Sequence, residues 1–127
     1  IMVGGEKFTG APSSGSYTYV GTQTSNHSSE VAPYNLGTFE MSINFSTDTF
    51  LYNGQSGNTY VWGQGHVDTQ NGRFATSEAL IYPAVSTGVS HSGTMHGMLH
   101  NYSKETSGLF HSNDWSRDYS GSFMGSR

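Results

Sequence analysis

Residues 92–127 have the sequence SGTMHGMLHNYSKETSGLFHSNDWSRDYSGSFMGSR. This C-terminal stretch gives the clearest indication of the fold. It predicts three consecutive β-strands at 93–101, 107–111 and 119–125, separated by a turn at 102–105 and a polar loop that begins at 112. Alternation of side chains along the last strand places four residues on one face, namely Tyr119, Gly121, Phe123 and Gly125. Large residues alternating with glycine fit a narrow barrel interior, where glycine occurs as the wall bends or approaches a neighbour. We expect this strand to close a barrel by pairing with the first strand of the chain.

Five further strands are predicted upstream, at 16–22, 38–45, 49–52, 59–68 and 73–82, with turns rich in glycine, asparagine and serine. The clearest is 38–45, where apolar and polar residues alternate strictly, as in an antiparallel sheet with one buried face. The side chains expected inside are Phe39, Met41, Ile43, Phe45, Phe110 and Phe123, together with Val61, Gly63, Gly65 and Val67. The polar segments 24–34 and 53–58 are expected to form a loop and a turn.

The sequence therefore predicts an all-β protein, a single eight-stranded antiparallel up-and-down β-barrel. The barrel is expected over residues 15–127, after an N-terminal arm at 1–14. Eight candidate strands at regular spacing, with almost no helical pattern, support this assignment. A β-sandwich is the alternative architecture, and an open sheet edge would distinguish it from a barrel.

The composition narrows the class of protein. The chain has 127 residues, of which 11% are charged, with a formal net charge of −4 and no cysteine. This length indicates one domain, and the absence of cysteine excludes disulfides and metal–thiolate sites. The five lysines and arginines are scattered, which argues against nucleic acid or an anionic membrane as a partner. Low charge with abundant glycine, serine, threonine and tyrosine favours an extracellular or surface-exposed β protein.

No targeting or membrane-spanning segment can be identified in the sequence. No apolar run approaches the ~20 residues of a membrane helix, and no secretory signal is visible. The chain begins with Ile1, Met2 and Val3. We therefore expect a processed or excised fragment, with any targeting segment or lipid-anchoring cysteine upstream.

The sequence carries no recognisable catalytic motif. It has no phosphate-binding loop, no G-x-S-x-G nucleophile elbow and no H-E-x-x-H zinc motif. The segment Ser112-Asn113-Asp114 matches one β-lactamase element, but the accompanying S-x-x-K and K-T-G segments are absent. No two carboxylates are placed as a glycoside-hydrolase pair. We therefore expect a binding module that is not an enzyme.

Three of the six histidines are candidates for ligand binding: His66, His96 and His100. His96 and His100 share one face of a strand, but their spacing of four residues corresponds to about 13 Å. Zinc–nitrogen bonds are about 2 Å long, so these two cannot chelate one ion, and we predict neither a metal site nor an obligatory cofactor. Solvated outward histidines are the simpler interpretation. A haem or other small-ligand site that uses these residues is the alternative.

Exposed aromatic residues offer a second set of candidates. Tyr60 and Trp62 are predicted on the outer face of one strand, and Trp115 is predicted in a loop. Tyr119, at the start of the last strand, is a fourth candidate. Trp and Tyr are enriched at the energetic hot spots of protein interfaces, so these residues favour recognition of a partner protein. Packing of Trp62 over a sheet edge or under the N-terminal arm is the structural alternative, and a glycan-binding domain is a further functional hypothesis.

Several short motifs, taken in order, resemble one known family. The segment 15–21, GSYTYVG, is similar to the G-x-A-x-Y-x-G opening strand of transferrin-binding-protein-B-like β-barrel domains, and 37–45 is similar to the second strand of that family. The segment 92–97, SGTMHG, resembles its later s-G-x-x-x-G strand. Residues 106–110, TSGLF, and 119–125, YSGSFMG, resemble its terminal pair of strands. The resemblance covers about residues 15–125.

This resemblance implies a barrel fold and a role in binding. The family occurs in Slam-dependent surface lipoproteins of Gram-negative bacteria and in related secreted solute-binding proteins. For this chain it implies a location at the bacterial cell surface (outer membrane) or outside the cell. It also implies a host or bacterial partner protein, recognised through loops and exposed aromatics. Haem-carrying relatives of the barrel add weight to the haem alternative, but the resemblance assigns a haem ligand to none of the histidines.

Overall fold

The computed structural model describes residues 12–27, 35–57, 59–83, 91–113 and 119–127. They form eight strands, which are β1 Ser16–His27, β2 Asn35–Asn44, β3 Thr49–Ser56, β4 Thr59–Asp68, β5 Arg73–Pro83, β6 His91–His100, β7 Glu105–Ser112 and β8 Tyr119–Ser126. Each strand pairs antiparallel with the next, and β8 pairs with β1. The predicted eight-stranded barrel is confirmed, and the β-sandwich alternative is wrong because the sheet closes on itself. The described residues contain no helix that is long and apolar enough to cross a membrane.

β1 and β3 extend furthest beyond the bounds that the sequence indicates. β1 continues through residues 24–27, which are predicted as loop, and β3 continues through 53–56, which are predicted as turn. Both extensions have paired neighbours on each side; Thr24, for example, lies opposite Leu36 of β2 and Ser122 of β8. Glycine, asparagine and serine favour turns locally, but closure of the barrel gives their backbone groups hydrogen-bond partners in a ladder. The predicted arm at 1–14 falls almost entirely outside the described residues.

The turn between β6 and β7 is built from three successive residues in the left-handed region. Asn101, Tyr102 and Ser103 have φ angles of 52°, 56° and 62°, a conformation that costs a residue other than glycine about 1–3 kcal/mol. The buried hydroxyl of Tyr19 donates a hydrogen bond to the carbonyl oxygen of Ser103. Burial raises the pKa of Tyr19, which keeps that phenol protonated as a donor. The turn spans 101–104, one residue earlier than predicted, and is held from inside the barrel.

Side chains fill the barrel interior. The stagger of the closed sheet can be followed along one row of paired residues. The row starts at Thr24 of β1, crosses the other seven strands from β8 back to β2, and returns to β1 at Ser16, eight residues before Thr24. Eight strands with this stagger leave an interior just wide enough for side chains. All six large residues predicted inside are buried, namely Phe39, Met41, Ile43, Phe45, Phe110 and Phe123. The small set predicted inside β4 is also buried, namely Val61, Gly63, Gly65 and Val67.

Phe123 of the closing strand lies at the centre of an aromatic cluster. Its ring centroid lies 4.8 Å from that of Tyr52, 5.2 Å from that of Phe39 and 6.2 Å from that of Phe74. Aromatic pairs of this kind contribute about 0.5–1.5 kcal/mol beyond the burial of their area. β8 therefore supplies the ring against which β2, β3 and β5 pack.

A buried polar cluster occupies part of the interior between β1 and β3. The Tyr52 hydroxyl donates to Oε1 of Gln23, and Nε2 of Gln23 donates to Oγ of Ser56 at 2.8 Å. Oγ of Ser56 donates in turn to Oγ of Ser25 at 2.6 Å. Burial raises the pKa of Tyr52, so its phenol stays protonated and serves as a donor. Mutual hydrogen bonding explains how polar residues from segments predicted as loop and turn are accommodated inside the barrel.

Two facing glycines bring the wall close to the core. Gly97 of β6 lies opposite Gly108 of β7, and both face inward. A Cβ atom on Gly97 would lie 2.7 Å from the ring of Phe74, and one on Gly108 would overlap the ring of Phe123. The backbone here rests directly on core aromatic rings, an approach that only glycine permits. No side chain therefore separates the backbone of β6 and β7 from these two core rings.

Candidate binding surfaces on the barrel wall

A groove of about 990 Å³ crosses the outside of the barrel over β4–β8 and β1; we call it the outer groove. Two adjacent rows of outward-facing, cross-strand paired residues form it. The first row contains Thr24, Ser122, Leu109, His96, Ala75 and His66. The second contains Thr22, Met124, Ser107, Met98, Arg73 and Asp68. Gly97 and Gly108 line its floor, so the floor of the groove lies over the rings of Phe74 and Phe123.

The chemistry of the outer groove changes along its length. The middle is apolar and contains Met98, Leu109 and Met124, of which the last two are 54% and 64% exposed. The end over β4–β6 contains His66, His96, Arg73 and Asp68. The end over β8 and β1 contains hydroxyl groups, and those of Thr24 and Ser122 are hydrogen-bonded to each other at 2.9 Å. The groove thus joins an apolar centre to an end rich in nitrogen donors.

The structure brings two of the three predicted histidines together. His66 and His96 both pair with Ala75, so they flank it in one row, about 10 Å apart at the usual strand spacing. His100 lies outside the groove beside the β6–β7 turn, with Nδ1 3.4 Å from Oε1 of Glu105. Over the described ranges, no three or more metal-ligating side chains are close enough to hold an ion. The outer groove therefore offers imidazole groups for binding, but that part of the chain forms no chelating set.

Tyr60 and Trp62 form a separate surface on the outside of β4. Both side chains are half-buried. Each lies opposite a polar residue of β3, Tyr60 opposite Gln55 and Trp62 opposite Asn53; we call these four residues the aromatic face. Tyr60 also lines a second groove of about 710 Å³ over β1–β4. The arrangement presents two large aromatic groups flanked by amides.

The predicted site residues do not form one site. Trp62 and His66 share the outer side of β4, but their spacing of four residues corresponds to about 13 Å. The aromatic face and the histidines of the outer groove are therefore distinct surfaces. The described strands leave no edge for Trp62 to cover, which removes that half of the alternative. Packing of Trp62 under the N-terminal arm is not tested, because residues 1–11 lie outside the described residues. Tyr119 is buried, so its prediction as an exposed aromatic is wrong. Trp115 lies outside the described residues, and its part in binding stays a prediction.

Leu109 and Met124 are absent from the predicted site residues, although the sequence carries a signal for them. Leu109 precedes the buried Phe110, and Met124 follows the buried Phe123. Because neighbouring residues of a strand face opposite sides, two large apolar residues in succession must place one of them outside. Arg73, at the start of β5, has no comparable signal, since only the strand register brings it to the groove.

Comparison with known proteins identifies the fold. No protein-family model matches the sequence, and no curated protein matches it significantly. Three solved structures of transferrin binding protein B are similar. That from serogroup B Neisseria meningitidis has a TM-score of 0.72 at 14% identity over 92% of this chain. A mutant protein from Haemophilus parasuis Hp5 has a TM-score of 0.66 at 18% identity over 91% of this chain. Intact Ap-TbpB, with its N and C lobes, has a TM-score of 0.67 at 16% identity over 91% of this chain.

This chain spans about a quarter of the length of those proteins, covering 26%, 27% and 26% of them. The similarity is one of backbone architecture, since fewer than one residue in five is identical. It extends over 91–92% of this chain. The chain therefore has the β-barrel fold found in transferrin binding protein B, as its resemblance to that family predicts.

Proposed function

We propose that this barrel is a non-enzymatic binding module of a bacterial surface or secreted protein and that it recognises a partner protein. The aromatic face is the observation that carries the proposal. Tyr60 and Trp62 stand on the outside of a closed barrel wall and are only half-buried. Trp and Tyr in such positions are typical anchors of protein interfaces. Trp115 and the segments that the sequence predicts as loops, which lie outside the described residues, are proposed to contribute to the same recognition.

The closed sheet restricts how a partner can bind. The described strands close into a barrel without a free edge, so a partner cannot extend this sheet by adding a strand through main-chain hydrogen bonds. Contact must come from outward side chains and loops. β4 is paired with β3 and β5 along its length, so Tyr60 and Trp62 are presented on backbone that is already ordered, which lowers the entropy lost on binding. Asn53 and Gln55 beside them supply the polar rim that such interfaces need.

The similar solved structures support a partner of the protein class. They are named as transferrin binding proteins, which makes transferrin the first candidate to test. Because this chain spans about a quarter of each of them, transferrin binding by the barrel is part of the proposal. A location on the surface of a Gram-negative bacterium belongs to the same proposal.

Removal of the aromatic face is expected to weaken partner binding by about 30-fold or more. Hot-spot residues contribute about 2 kcal/mol or more to binding, and every 1.4 kcal/mol is about tenfold in affinity. The experiment immobilises the chain and passes transferrins of several mammalian hosts over it in surface plasmon resonance. We expect at least one transferrin to bind, and Tyr60→Ala and Trp62→Ala each to reduce its affinity.

Leu36→Ala provides the matched control, because Leu36 is an outward apolar residue of β2 that is 69% exposed. This variant should bind as the unmodified chain does. Equal binding by both aromatic variants would show that the aromatic face is not the recognition surface. Binding by none of the transferrins would remove transferrin as the partner.

Haem or small-ligand carriage is the second candidate function, supported by the placement of His66 and His96. Both flank Ala75 in a groove with an apolar centre. Either imidazole would supply an iron ligand, and Arg73 would face a haem carboxylate. Haemin titration should then shift the Soret band, and a His66→Ala, His96→Ala double variant should lose the shift, whereas His100→Ala should retain it. An unshifted Soret band on addition of haemin would eliminate this function.

A further inference from the structure

We propose that the outer groove is a second docking surface and that it takes an amphipathic, acidic segment of a partner protein. Such a segment carries apolar side chains beside carboxylates. The inference rests on the proposed function of the barrel as a protein-binding module, and it adds a surface that is separate from the aromatic face. Three observations support the proposal: an exposed apolar patch, a neighbouring group of hydrogen-bond donors and the shape of the groove.

The apolar patch lies on three adjacent strands. Met98, Leu109 and Met124 come from β6, β7 and β8 and occupy neighbouring positions in the two rows of the groove. Leu109 and Met124 expose more than half of their surface, while the residues paired with them on the neighbouring strand, Ser122 and Ser107, are small. Single exposed apolar side chains are ordinary on protein surfaces, but a cluster in a concave depression marks a binding surface. A partner would gain by burying these groups.

The end of the groove over β4–β6 is suited to carboxylates. Arg73 has no ion-pair partner within the described part of the chain. Its cross-strand neighbour Asp68 accepts a hydrogen bond from the backbone N–H of Gln70 at 2.9 Å, within the β4–β5 turn. Exposed His66 and His96 add imidazole nitrogens beside the guanidinium. Asp68 is the one carboxylate among the described residues that line the groove, so the guanidinium and the two imidazoles outnumber it and are complementary to acidic side chains on a partner.

The shape of the groove favours a polypeptide over a small ligand. It lies on the outer wall and is open to solvent, whereas small-molecule sites bury about 70–90% of their ligand. The part of the groove from Arg73 on β5 to Met124 on β8 covers three steps between neighbouring strands, each about 4.8 Å, which gives about 14 Å of the curved wall. A helix of about ten residues has this length. This part of the groove therefore matches a short helical segment with an apolar face and flanking carboxylates.

Two synthetic 16-residue helical peptides test the proposal. They share leucines on one face and differ only in carrying glutamate or lysine beside that face. Binding is measured by isothermal titration calorimetry, and the site is mapped by amide chemical shifts in NMR. We expect the glutamate peptide to bind at least tenfold more tightly than the lysine peptide, with shifts concentrated in β5–β8. Arg73→Glu should weaken its binding about tenfold, and a Leu109→Asp, Met124→Asp double variant about 30-fold.

Matched controls separate groove contacts from general charge and surface effects. Lys104→Glu reverses a cation at the β6–β7 turn, and Leu36→Asp adds a charge at an exposed leucine on β2; both should leave binding unchanged. All of these side chains face outward, and thermal melting verifies that each variant is folded. Equal binding of both peptides, or unchanged binding to the Leu109→Asp, Met124→Asp variant, would overturn the proposal.

Occupation of the groove by another ligand would also overturn it. Haemin that binds and displaces the glutamate peptide would assign the groove to a small ligand. A dimer in sedimentation velocity that dissociates on Leu109→Asp substitution would assign it to a second copy of this chain. These readouts are independent of the transferrin experiment, which depends on Tyr60 and Trp62. Failure of one proposal is therefore distinguishable from failure of the other.

Discussion

A chain truncated after Tyr119 is expected to lose its native fold and to aggregate. The truncation removes nearly all of β8, which pairs with β1 on one side and with β7 on the other. It also removes Phe123, whose ring packs against Phe39, Tyr52 and Phe74. Loss of a buried phenylalanine side chain alone costs about 3–5 kcal/mol, which is a large share of the 5–15 kcal/mol that stabilises a typical domain. The two uncovered strand edges are templates for association with other chains.

Thermal melting and gel filtration of the truncated and full-length chains measure this effect. We expect no cooperative transition for the truncated chain and elution as large species. Deletion of Arg127 alone is the control: its backbone N–H bonds the Lys104 carbonyl oxygen and its guanidinium lies over the Tyr17 ring, but the barrel stays closed. A monomeric truncated chain with an unchanged melting temperature would contradict a barrel closed by β8.

Gly121→Val is expected to lower the free energy of unfolding by about 3 kcal/mol, the upper part of the range for overpacked interiors. A Cβ atom at Gly121 would overlap the carbonyl oxygen of Thr24 and the ring of Phe110. Thr24 belongs to the neighbouring strand, and the Phe110 ring is enclosed by the core. Neither group can move without breaking the closing ladder or displacing other core side chains, so the strain falls on closure itself.

Equilibrium unfolding in guanidinium chloride measures the change, and Ser120→Val is its matched control. Ser120 is the preceding residue of β8 and is exposed on the outer face, where a β-branched residue fits a strand well. We expect Ser120→Val to leave the unfolding midpoint nearly unchanged. If Gly121→Val were as stable as Ser120→Val, the interior at this position would have to be wider than the structure shows.

The strand content and the inward face of each strand follow from local pattern. Residues 38–45 alternate so strictly that Phe39, Met41 and Ile43 have only one way to be buried together, and all three are buried. The alternation of glycine with large residues in 119–125 indicates closure, because only a wall in close contact with its neighbours needs glycine at those positions. The eight strands and the core side chains are therefore predictable from residues two apart in the chain, whereas the choice of a barrel over a β-sandwich depends on the pairing of β8 with β1.

Strand ends and binding surfaces depend on residues that are distant in the chain. The sequence predicts a loop and a turn for the polar segments that in fact extend β1 and β3. These segments are strands because hydrogen bonds inside the barrel link Gln23, Ser25, Tyr52 and Ser56. Local propensity cannot indicate such partners, because they are separated by about thirty residues.

The candidate site shows the same division. The sequence alone predicts which side chains face outward, because side chains point to alternate faces along a strand with a period of two residues. The side chains predicted in this way are Tyr60, Trp62, His66 and His96. The register between strands brings His66 near His96 and Leu109 near Met124. It also separates both pairs from Trp62. Register describes which residues of neighbouring strands lie opposite each other. It is fixed when β8 pairs with β1 and the stagger of the closed sheet is established. The groove exists only in the closed barrel, because its walls come from six strands that are adjacent in space and span most of the chain.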